Sequence, residues 1–275
     1  MMCAWKELLS ILPQRIRQDV DSLGREALEE LRLRIGGPPE LVLGKESKWL
    51  SGNVTREELS FVVNAASRYS PWAASTVSQG YLTAPGGHRI GICGEAVCRN
   101  GSFAGIREPS SLCIRVARDF PGVAERAKGI QGSVLILGAP GWGKTTLLRD
   151  LIRKRGERVQ TCVVDERGEL FPPGFSRGKR LDVLTGCPKA EGILTVLRTM
   201  GPGVIGVDEI TEERDCQALL QAANCGVSLL ATAHACSLQD IRRRRIYAAL
   251  LDHSVFDTFL VLHRDKSYTV ERMTL

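Results

Sequence analysis

The sequence contains no apolar run that is long enough to cross a membrane. A membrane-spanning helix needs roughly 18 or more consecutive apolar residues, and no uncharged apolar stretch of this 275-residue chain approaches that length. The N-terminal stretch MMCAWKELLSIL also lacks the long apolar core and the small-residue cleavage site of a secretory signal peptide. We therefore expect a cytoplasmic protein without direct membrane insertion.

Paired cysteines are missing as well. The nine cysteines are an odd number, are scattered along the chain and form no C-x-x-C pair. A disulfide framework and a structural zinc site both need paired or closely spaced cysteines. The pattern instead indicates reduced and mostly buried thiols in a cytosolic protein, and we expect no zinc.

Aromatic residues make up only 5% of the chain, and none alternates with basic residues as on surfaces that stack nucleic-acid bases. The formal net charge is +6, and the one conspicuous basic cluster is Arg242–Arg245. Such a cluster suits contact with nucleic acid or anionic lipid, or else a solvated helix face or subunit contact. The second alternative is favoured here, so we do not expect nucleic acid as a partner.

From about residue 132 onward, strand-like and helix-like segments alternate. This alternation is typical of a mainly parallel sheet covered by helices, and the chain is 43% hydrophobic, enough for a proper core. We therefore predict an α/β domain over residues 132–275. Its predicted strands are Val134–Leu137, Gln160–Val164, Val204–Val207, Ser228–Ala231 and Thr258–Leu262, with Tyr268–Arg272 as a final edge strand, and its helices fall near 144–155, 189–200, 212–224 and 237–251.

Residues 1–125 are predicted to form a separate, smaller α+β domain. Leu8–Leu12 and Leu28–Ile35 have apolar spacing that fits a helix or a strand, whereas Glu40–Leu43 predicts a short strand. The sequence Thr55-x-x-Glu58 is a capping box, and it predicts a helix over Arg56–Arg68. Trp72 and Val77 indicate a second short helix.

Turn signals follow in the same domain. Pro85-Gly86-Gly87 lies between two strand-like segments and predicts a hairpin, and Asn100-Gly101 predicts a second hairpin with a type I′ turn. Residues 111–118 look like one more strand, and the stretch around 119–132 is the predicted linker.

Residues 133–152 carry the most specific motif of the chain. An apolar β-type run, Ser133–Leu137, leads into the pattern G-x-x-x-x-G-K-T, and a helix-forming stretch follows. This is the strand–loop–helix context of a phosphate-binding loop, in which glycines let backbone N–H groups point at phosphate oxygens. Lys144 would reach the β- and γ-phosphates of ATP, and the Thr145 hydroxyl would hold Mg²⁺. The predicted nucleotide-binding residues are Gly138, Ala139, Pro140, Gly141, Trp142, Gly143, Lys144, Thr145 and Thr146.

Acidic residues follow two of the predicted strands. Asp208 and Glu209 end the strand Val204–Val207, which is the pattern of a Walker B element. Asp208 suits the Mg²⁺ shell, and Glu209 suits the general base that aligns water on the γ-phosphate. The pair Asp165-Glu166 follows the preceding strand, where it either lies along the ligand crevice or caps the next segment.

His234 also stands at a strand end. It follows the run from Ser228 to Ala233, where it can sense the γ-phosphate, hydrogen-bond to Glu209, or serve a purely structural purpose.

This set of motifs resembles the type II/IV secretion ATPases, which are ring-forming motors with a RecA-like C-terminal domain. The resemblance matches Asp165-Glu166 to the family's Asp box, Ala231–His234 to its histidine box, and Gly87–Gly91 to its basic strand ahead of the motor. It implies a RecA-like phosphate-loop domain, Mg²⁺-dependent ATP hydrolysis and a ring of identical subunits, with a hexamer expected. It also implies work on membrane-embedded secretion or channel proteins.

The same resemblance adds two candidate catalytic residues. In the secretion ATPases the N-terminal domain contributes arginines to the nucleotide site, and Arg89 and Arg115 stand on predicted strands just ahead of the motor domain. The sequence departs from the family where Asp208 replaces a glycine before the Walker B glutamate, and it lacks the family's four-cysteine zinc motif. Glu209 and Glu166 therefore both remain candidates for the residue that activates water.

Several segments, among them YLTAPGGHRIGICGEAV, GAPGWGKTTLLRD, VVDERGEL and CPKAEG, resemble more closely a sporulation branch of these ATPases in endospore-forming bacteria. That resemblance spans nearly the whole chain and implies a cytoplasmic ATPase, peripheral at the membrane, that serves a channel between mother cell and forespore. Two alternatives stay open: a nucleic-acid-dependent RecA-like ATPase, and a ring scaffold that binds ATP with little turnover. Stimulation by DNA or RNA would indicate the first, and assembly without hydrolysis the second.

Overall fold

A computed structural model describes residues 2–24, 28–67, 80–99, 101–127, 129–172 and 174–272. The chain divides into two compact units. The first comprises Met1–Asp119 together with Pro172–Phe175, and the second comprises Phe120–Phe171 and Ser176–Leu275. The boundary at Asp119 falls at the start of the predicted linker, and the domain limits 1–125 and 132–275 stay predictions.

The first unit combines helices with antiparallel strands. Its six-stranded sheet has the order β4-β3-β2-β7-β6-β5, and every neighbouring pair is antiparallel. A separate two-stranded ladder joins β1 to β8. In chain order the elements are β1 Met2–Cys3, α1 Trp5–Ser10, α2 Gln14–Leu23, β2 Glu30–Arg34, β3 Glu40–Leu43, β4 Glu46–Trp49, α3 Arg56–Ser67, β5 Tyr81–Thr83, β6 Arg89–Arg99, β7 Ser102–Arg115 and β8 Arg118–Asp119.

Alternation along β2 explains how this sheet is buried. Leu31 and Leu33 are fully buried, whereas the charged residues between and beside them face the opposite side. The buried face packs with apolar residues of α1, α2 and α3 into one core. The predicted capping box of α3 is confirmed: the Thr55 amide donates to Glu58 Oε2 at 3.1 Å, and the Glu58 amide donates to Thr55 Oγ1 at 3.2 Å.

The structure resolves the two segments whose type was open. The strand β2, Glu30–Arg34, lies within the segment Leu28–Ile35, and most of Leu8–Leu12 belongs to a helix. The hairpin at Pro85-Gly86-Gly87 is confirmed, with a single 3₁₀ turn between β5 and β6. Trp72, Val77 and Asn100, on which two further expectations rest, lie outside the described residues.

β6 and β7 form one long hairpin that runs through Gly94. The ladder shifts register on either side of Gly94 instead of ending there. A Cβ atom at this position would lie 2.3 Å from the Glu108 carbonyl oxygen, so the close approach of the two strands needs glycine.

The second unit is a layered α/β domain. Strands β11-β10-β12-β13-β9-β14 are all parallel, and β15 closes one edge antiparallel to β14. This confirms the predicted fold class, a mainly parallel sheet with covering helices. Its elements are β9 Val134–Leu137, α4 Lys144–Arg155, β10 Thr161–Asp165, β11 Leu181–Thr185, α5 Lys189–Met200, β12 Val204–Val207, α6 Glu213–Asn224, β13 Ser228–Ala233, α7 Leu238–Arg242, α8 Ala248–Asp252, β14 Thr258–Leu262 and β15 Tyr268–Arg272.

The central strands are buried on both faces because helices cover both sides of the sheet. Leu135 and Leu137 of β9 point into a core shared with α5 and α6. Val134 and Ile136 of the same strand point into the opposite core, which they share with α4. Among the described residues, no helix has both the length and the apolar character that a membrane crossing requires.

Three features of this unit differ from the sequence prediction. β11 was not predicted, since it is a partly exposed edge strand of mixed polarity. The predicted helix over 237–251 is two short helices separated by a 3₁₀ turn at Arg245–Tyr247, which places Tyr247 in the core with its hydroxyl donating to the Ile210 carbonyl oxygen. The predicted linker is packed in part, because Ala124 and Ala127 are fully buried.

Candidate functional site

The phosphate loop joins the end of β9 to the start of α4. Gly141 and Gly143 adopt left-handed φ angles of 77° and 99°, which favour glycine at both positions. Lys144 is the first residue of α4, so the helix N-terminus points its free amides into the loop. The sequence motif therefore has the backbone conformation that an anion-binding loop requires.

Four neighbouring parallel strands bring the predicted site residues to one edge of the sheet. The strand order β10-β12-β13-β9 places their carboxyl ends side by side. From one end to the other these strands lead into Glu166, Asp208-Glu209, His234 and the phosphate loop. This edge is where open α/β sheets bind ligands.

Asp208 is held by two threonine hydroxyls. Thr145 Oγ1 donates to Asp208 Oδ2 at 2.6 Å, and Thr232 Oγ1 donates to Asp208 Oδ1 at 2.6 Å. The hydroxyl of Thr145 and the carboxylate of Asp208 thus form a pair of hard oxygen ligands beside the phosphate loop. This donor set fits Mg²⁺, which prefers a few protein oxygens supplemented by phosphate oxygens and water.

The His234 ring lies between Lys144 and Glu209. Its Nδ1 atom is 3.0 Å from Lys144 Nζ, and its Nε2 atom is 2.9 Å from Glu209 Oε1. Because an ammonium only donates, Nδ1 accepts from Lys144, and the ring proton on Nε2 is donated to Glu209. The histidine thus connects the lysine of the phosphate loop to the Walker B glutamate.

The backbone of Glu209 is strained. Its φ angle is 51°, in the left-handed region that non-glycine residues rarely adopt. The Glu209 amide donates to Thr232 Oγ1 at 2.8 Å, and this hydrogen bond helps to hold the conformation. Such strain costs on the order of 1–3 kcal/mol and is concentrated at functional sites.

Lys144 is largely enclosed by the site. Only 7% of the residue is exposed, and its Nζ also donates to the Ala139 carbonyl oxygen at 3.1 Å. Burial lowers the pKa of Lys144, while the negative charges of Asp208 and Glu209 oppose this shift. The two carboxylates therefore favour the charged ammonium in a buried position.

Asp165 and Glu166 lie in different environments. Asp165 is 3% exposed and accepts the amides of Glu169, Leu170 and Phe171 at 2.8–3.1 Å, so it caps the segment that follows β10. Burial raises the pKa of Asp165, and the three amides oppose this shift. Of the two alternatives that the sequence left open for Asp165, the structure selects the capping one.

Glu166 forms an ion pair with a lysine that the sequence analysis did not assign. Lys189 Nζ, at the start of α5, donates to Glu166 Oε2 at 2.8 Å and lies 3.9 Å from Asp215 Oδ2. Lys189 and Glu166 line one pocket together with Asp208 and Glu209. The Lys189 side chain is only 12% exposed, so its charge is poorly screened by solvent.

Lys189 and Thr232 are the site residues that sequence reasoning missed. Both belong to segments that carry a family resemblance: Lys189 is part of CPKAEG, and Thr232 directly precedes Ala233-His234. The signal for Thr232 is a hydroxyl two residues before a strand-end histidine. Lys189 could be found only by knowing that α5 begins beside the end of β10.

The two candidate arginines of the first unit are direct partners across a strand pair. Arg89 of β6 faces Arg115 of β7 in the antiparallel register, and Arg115 faces Glu30 of β2. Arg115 Nε lies 3.3 Å from Glu30 Oε1. Arg89, Arg115 and Tyr81 line one open pocket, so the two predicted arginines lie side by side on this sheet.

His88, next to Arg89, has a structural place in the first unit. It is fully buried, its Nε2 atom is 2.9 Å from the Ala4 carbonyl oxygen, and its Nδ1 atom accepts the Ala117 amide at 3.1 Å. The Arg242–Arg245 cluster, by contrast, is exposed on all four residues, and Arg244 pairs with Asp240 at 3.1 Å. This agrees with the solvated surface that the sequence favoured.

The parallel sheet, the phosphate loop after β9 and the acidic end of β12 define a RecA-like fold. The chain is similar to the Legionella pneumophila ATPase DotB, with a TM-score of 0.59 and 19% identity over 95% of this chain and 81% of that one. It is also similar to the pilus retraction motor PilT with bound ADP, with a TM-score of 0.64 and 13% identity over 93% of this chain and 80% of that one. At these identities the similarity shows the fold.

Sequence comparison gives the family. The family model described as "Sporulation stage III, protein AA" matches residues 4–272. Stage III sporulation protein AA of Bacillus subtilis (strain 168) is 36% identical over 280 residues, which cover 94% of this chain and 91% of that protein. The chain belongs to the Sporulation stage III, protein AA family.

Proposed function

We propose that this chain is a Mg²⁺-dependent ATPase that works as a ring and powers or assembles a membrane-embedded export or channel complex in sporulation. The observation that carries the proposal is the hydrogen-bonded series Lys144–His234–Glu209 beside the pair Thr145–Asp208. It joins a phosphate-binding cation, an oxygen ligand set for Mg²⁺ and a carboxylate base at one sheet edge.

The proposed reaction is attack of water on the γ-phosphate of ATP. Lys144 and the loop amides bind the phosphate oxygens, and Glu209 accepts a proton from the attacking water. Thr145 and Asp208 would hold Mg²⁺, which neutralises phosphate charge when it is bound. His234, which contacts both Lys144 and Glu209, orients the carboxylate in response to the position of the lysine.

Contacts of the two glutamates favour Glu209 over Glu166 as the base. Glu166 is paired with Lys189 at 2.8 Å, so its carboxylate is already engaged by a counter-ion. Glu209 shares its pocket wall with Asp208 and accepts its hydrogen bond from His234. We therefore infer that Glu209 activates water and that Glu166 supports the site through Lys189.

The proposed working form is a ring of identical subunits, expected to be a hexamer. Arg89 and Arg115 are proposed to act on the nucleotide as an arginine finger, because a phosphate loop and a base leave part of the transition-state charge unbalanced. The expected location is the cytoplasm, at the membrane through partner proteins of the secretion or channel type.

Mass in solution and ATP hydrolysis, measured on the same sample with and without Mg²⁺-ATP, test the proposal. We expect Mg²⁺-ATP to shift the protein to a ring and to be hydrolysed, and Lys144→Ala to remove ATP binding while the fold survives. Assembly without turnover would indicate a scaffold. Hydrolysis that depends on DNA or RNA and is lost steeply with salt would indicate a nucleic-acid-dependent ATPase.

A further inference from the structure

The backbone around Glu209 is held by hydrogen bonds from two elements. From β13, Thr232 Oγ1 accepts the Glu209 amide at 2.8 Å, and the Thr232 carbonyl oxygen accepts the Ile210 amide at 3.0 Å. From outside the sheet, the hydroxyl of Tyr247 donates to the Ile210 carbonyl oxygen at 2.9 Å. The residue with the left-handed φ angle of 51° is therefore fixed by one neighbouring strand and by one distant side chain.

Tyr247 is a buried residue with one polar atom to place. It ends the 3₁₀ turn Arg245–Tyr247 between α7 and α8, is only 4% exposed, and belongs to the same apolar core as Ile210. Burial raises the pKa of Tyr247 to about 12, so the phenol keeps its proton at neutral pH and can donate it. A phenylalanine ring would fill the same core. The hydroxyl adds the hydrogen bond to the backbone beside Glu209.

This hydrogen bond acts on a segment that needs support. A left-handed backbone angle in a non-glycine residue persists only where the surrounding structure fixes it. The contacts from Thr232 hold the two amides, whereas the contact from Tyr247 holds the carbonyl group that follows them. Without the hydroxyl, the segment after β12 keeps its attachment to β13 and loses its attachment to the 3₁₀ turn. The Glu209 carboxylate then has more freedom to leave its place 2.9 Å from His234 Nε2.

We propose that Tyr247 is a positioning residue for ATP hydrolysis, whose hydroxyl holds the end of β12 so that the Glu209 carboxylate stays aligned with the attacking water. The inference rests on the proposed function, because it takes Glu209 as the base. Tyr247 does not line the pocket that Glu209 shares with Asp208, and it acts through the backbone. Because a small misplacement of a reacting group lowers the rate strongly, the effect falls on turnover and not on ATP binding.

Tyr247→Phe tests the inference, since it keeps the ring in the core and removes only the hydroxyl. We expect turnover to fall about tenfold and ATP affinity to stay within about twofold of the native value. In a Glu209→Gln background the same substitution should cause no further loss, because effects of residues that act through one group are not additive. Steady-state hydrolysis and isothermal titration of the full chain with Mg²⁺-ATP give both quantities, and thermal unfolding checks that each variant is folded.

Thr161→Val is the matched control. Thr161 is fully buried in the second unit, and its hydroxyl donates to the Val159 carbonyl oxygen at 2.9 Å. The variant therefore also removes one hydroxyl-to-carbonyl hydrogen bond, but at the start of β10, whereas the site lies at the carboxyl ends of the strands. It should keep the turnover of the native chain.

The possible outcomes separate this inference from the proposed function. Native turnover in Tyr247→Phe would overturn the inference and leave the proposed function intact. An equal loss from Tyr247→Phe in the native and Glu209→Gln backgrounds would overturn it too, since Tyr247 would then act independently of Glu209. If the native chain does not hydrolyse ATP, or if Glu209→Gln keeps native turnover, the proposed function or its assignment of the base fails, and the role of Tyr247 fails with it.

Discussion

His234 Nε2 lies 2.9 Å from Glu209 Oε1, and the other ring nitrogen of the same histidine accepts a hydrogen bond from the lysine of the phosphate loop. The candidate base is therefore connected to the group that would contact the γ-phosphate. If Lys144 binds phosphates as proposed, its hydrogen bond to His234 would compete with the new contacts, and the change would reach Glu209 through the same ring. The proposed function therefore links phosphate binding to the position of the proposed base.

Substitution of each glutamate by glutamine distinguishes the roles of Glu209 and Glu166. Glu209→Gln keeps the shape of the side chain and loses its proton-accepting charge, so we expect turnover to fall by about 10²–10⁴-fold with ATP affinity retained. Glu166→Gln should reduce turnover much less, because Glu166 forms an ion pair with Lys189. Steady-state hydrolysis and ATP titration of both variants provide the measurement. A large loss in Glu166→Gln together with a small one in Glu209→Gln would reverse the assignment.

Lys189 is predicted to be a positioning residue of the acidic pocket. Lys189→Met removes the counter-charge of Glu166 and leaves this carboxylate unpaired in the pocket that Asp208 and Glu209 also line, so the carboxylates should lose their arrangement. We expect turnover to fall about tenfold and ATP affinity to change little.

Two further variants check the Lys189 prediction. Lys189→Arg keeps the charge and should retain most of the activity. Lys179→Met, at an exposed lysine that does not line the acidic pocket, should behave like the native chain. A Lys189→Met variant with normal turnover contradicts the prediction.

Arg89 and Arg115 are predicted to lower the barrier to hydrolysis more than they contribute to ATP binding. An arginine finger supplies about 10³–10⁵-fold in rate, so Arg89→Ala or Arg115→Ala should reduce turnover strongly with little change in ATP affinity. If the arginine acts between subunits, mixing either variant with Glu209→Gln should restore part of the activity. Arg107→Ala, on the same strand as Arg115 but outside the pocket that Arg89 and Arg115 line, is the control. Unchanged turnover in both test variants would exclude the finger.

His88 should make the stability of the first unit depend on pH. Burial lowers the pKa of His88 below its ordinary value of 6.5, while the bond to Ala4 and the charge of Glu7 oppose this shift. Between the lowered pKa and 6.5 the unfolded chain binds the proton more readily, so the free energy of unfolding falls as the pH drops below about 6.5. Urea unfolding of the native chain and of His88→Gln at several pH values should show the steeper decline in the native chain. Equal slopes would contradict the expectation.

Local sequence patterns determined the start of one helix, the type of the larger sheet and the phosphate loop. The capping box at Thr55 set the start of α3, and the alternation of strands and helices after residue 132 set the parallel sheet. The phosphate loop was readable because its glycines, lysine and threonine are contiguous and the loop conformation depends on nearby residues. Contiguous motifs carry their own geometry, and a single sequence is enough to recognise them.

Tertiary structure decided the contacts between site residues that depend on the order of strands in the sheet. The sequence does not show that β13 lies between β12 and β9, and this order is what places His234 between Glu209 and Lys144. The ion pair between Lys189 and Glu166, and the pairing of Arg89 with Arg115, likewise join residues more than 20 positions apart. Such contacts depend on how whole elements pack together. The spacing of residues along the chain does not predict which strand ends become neighbours.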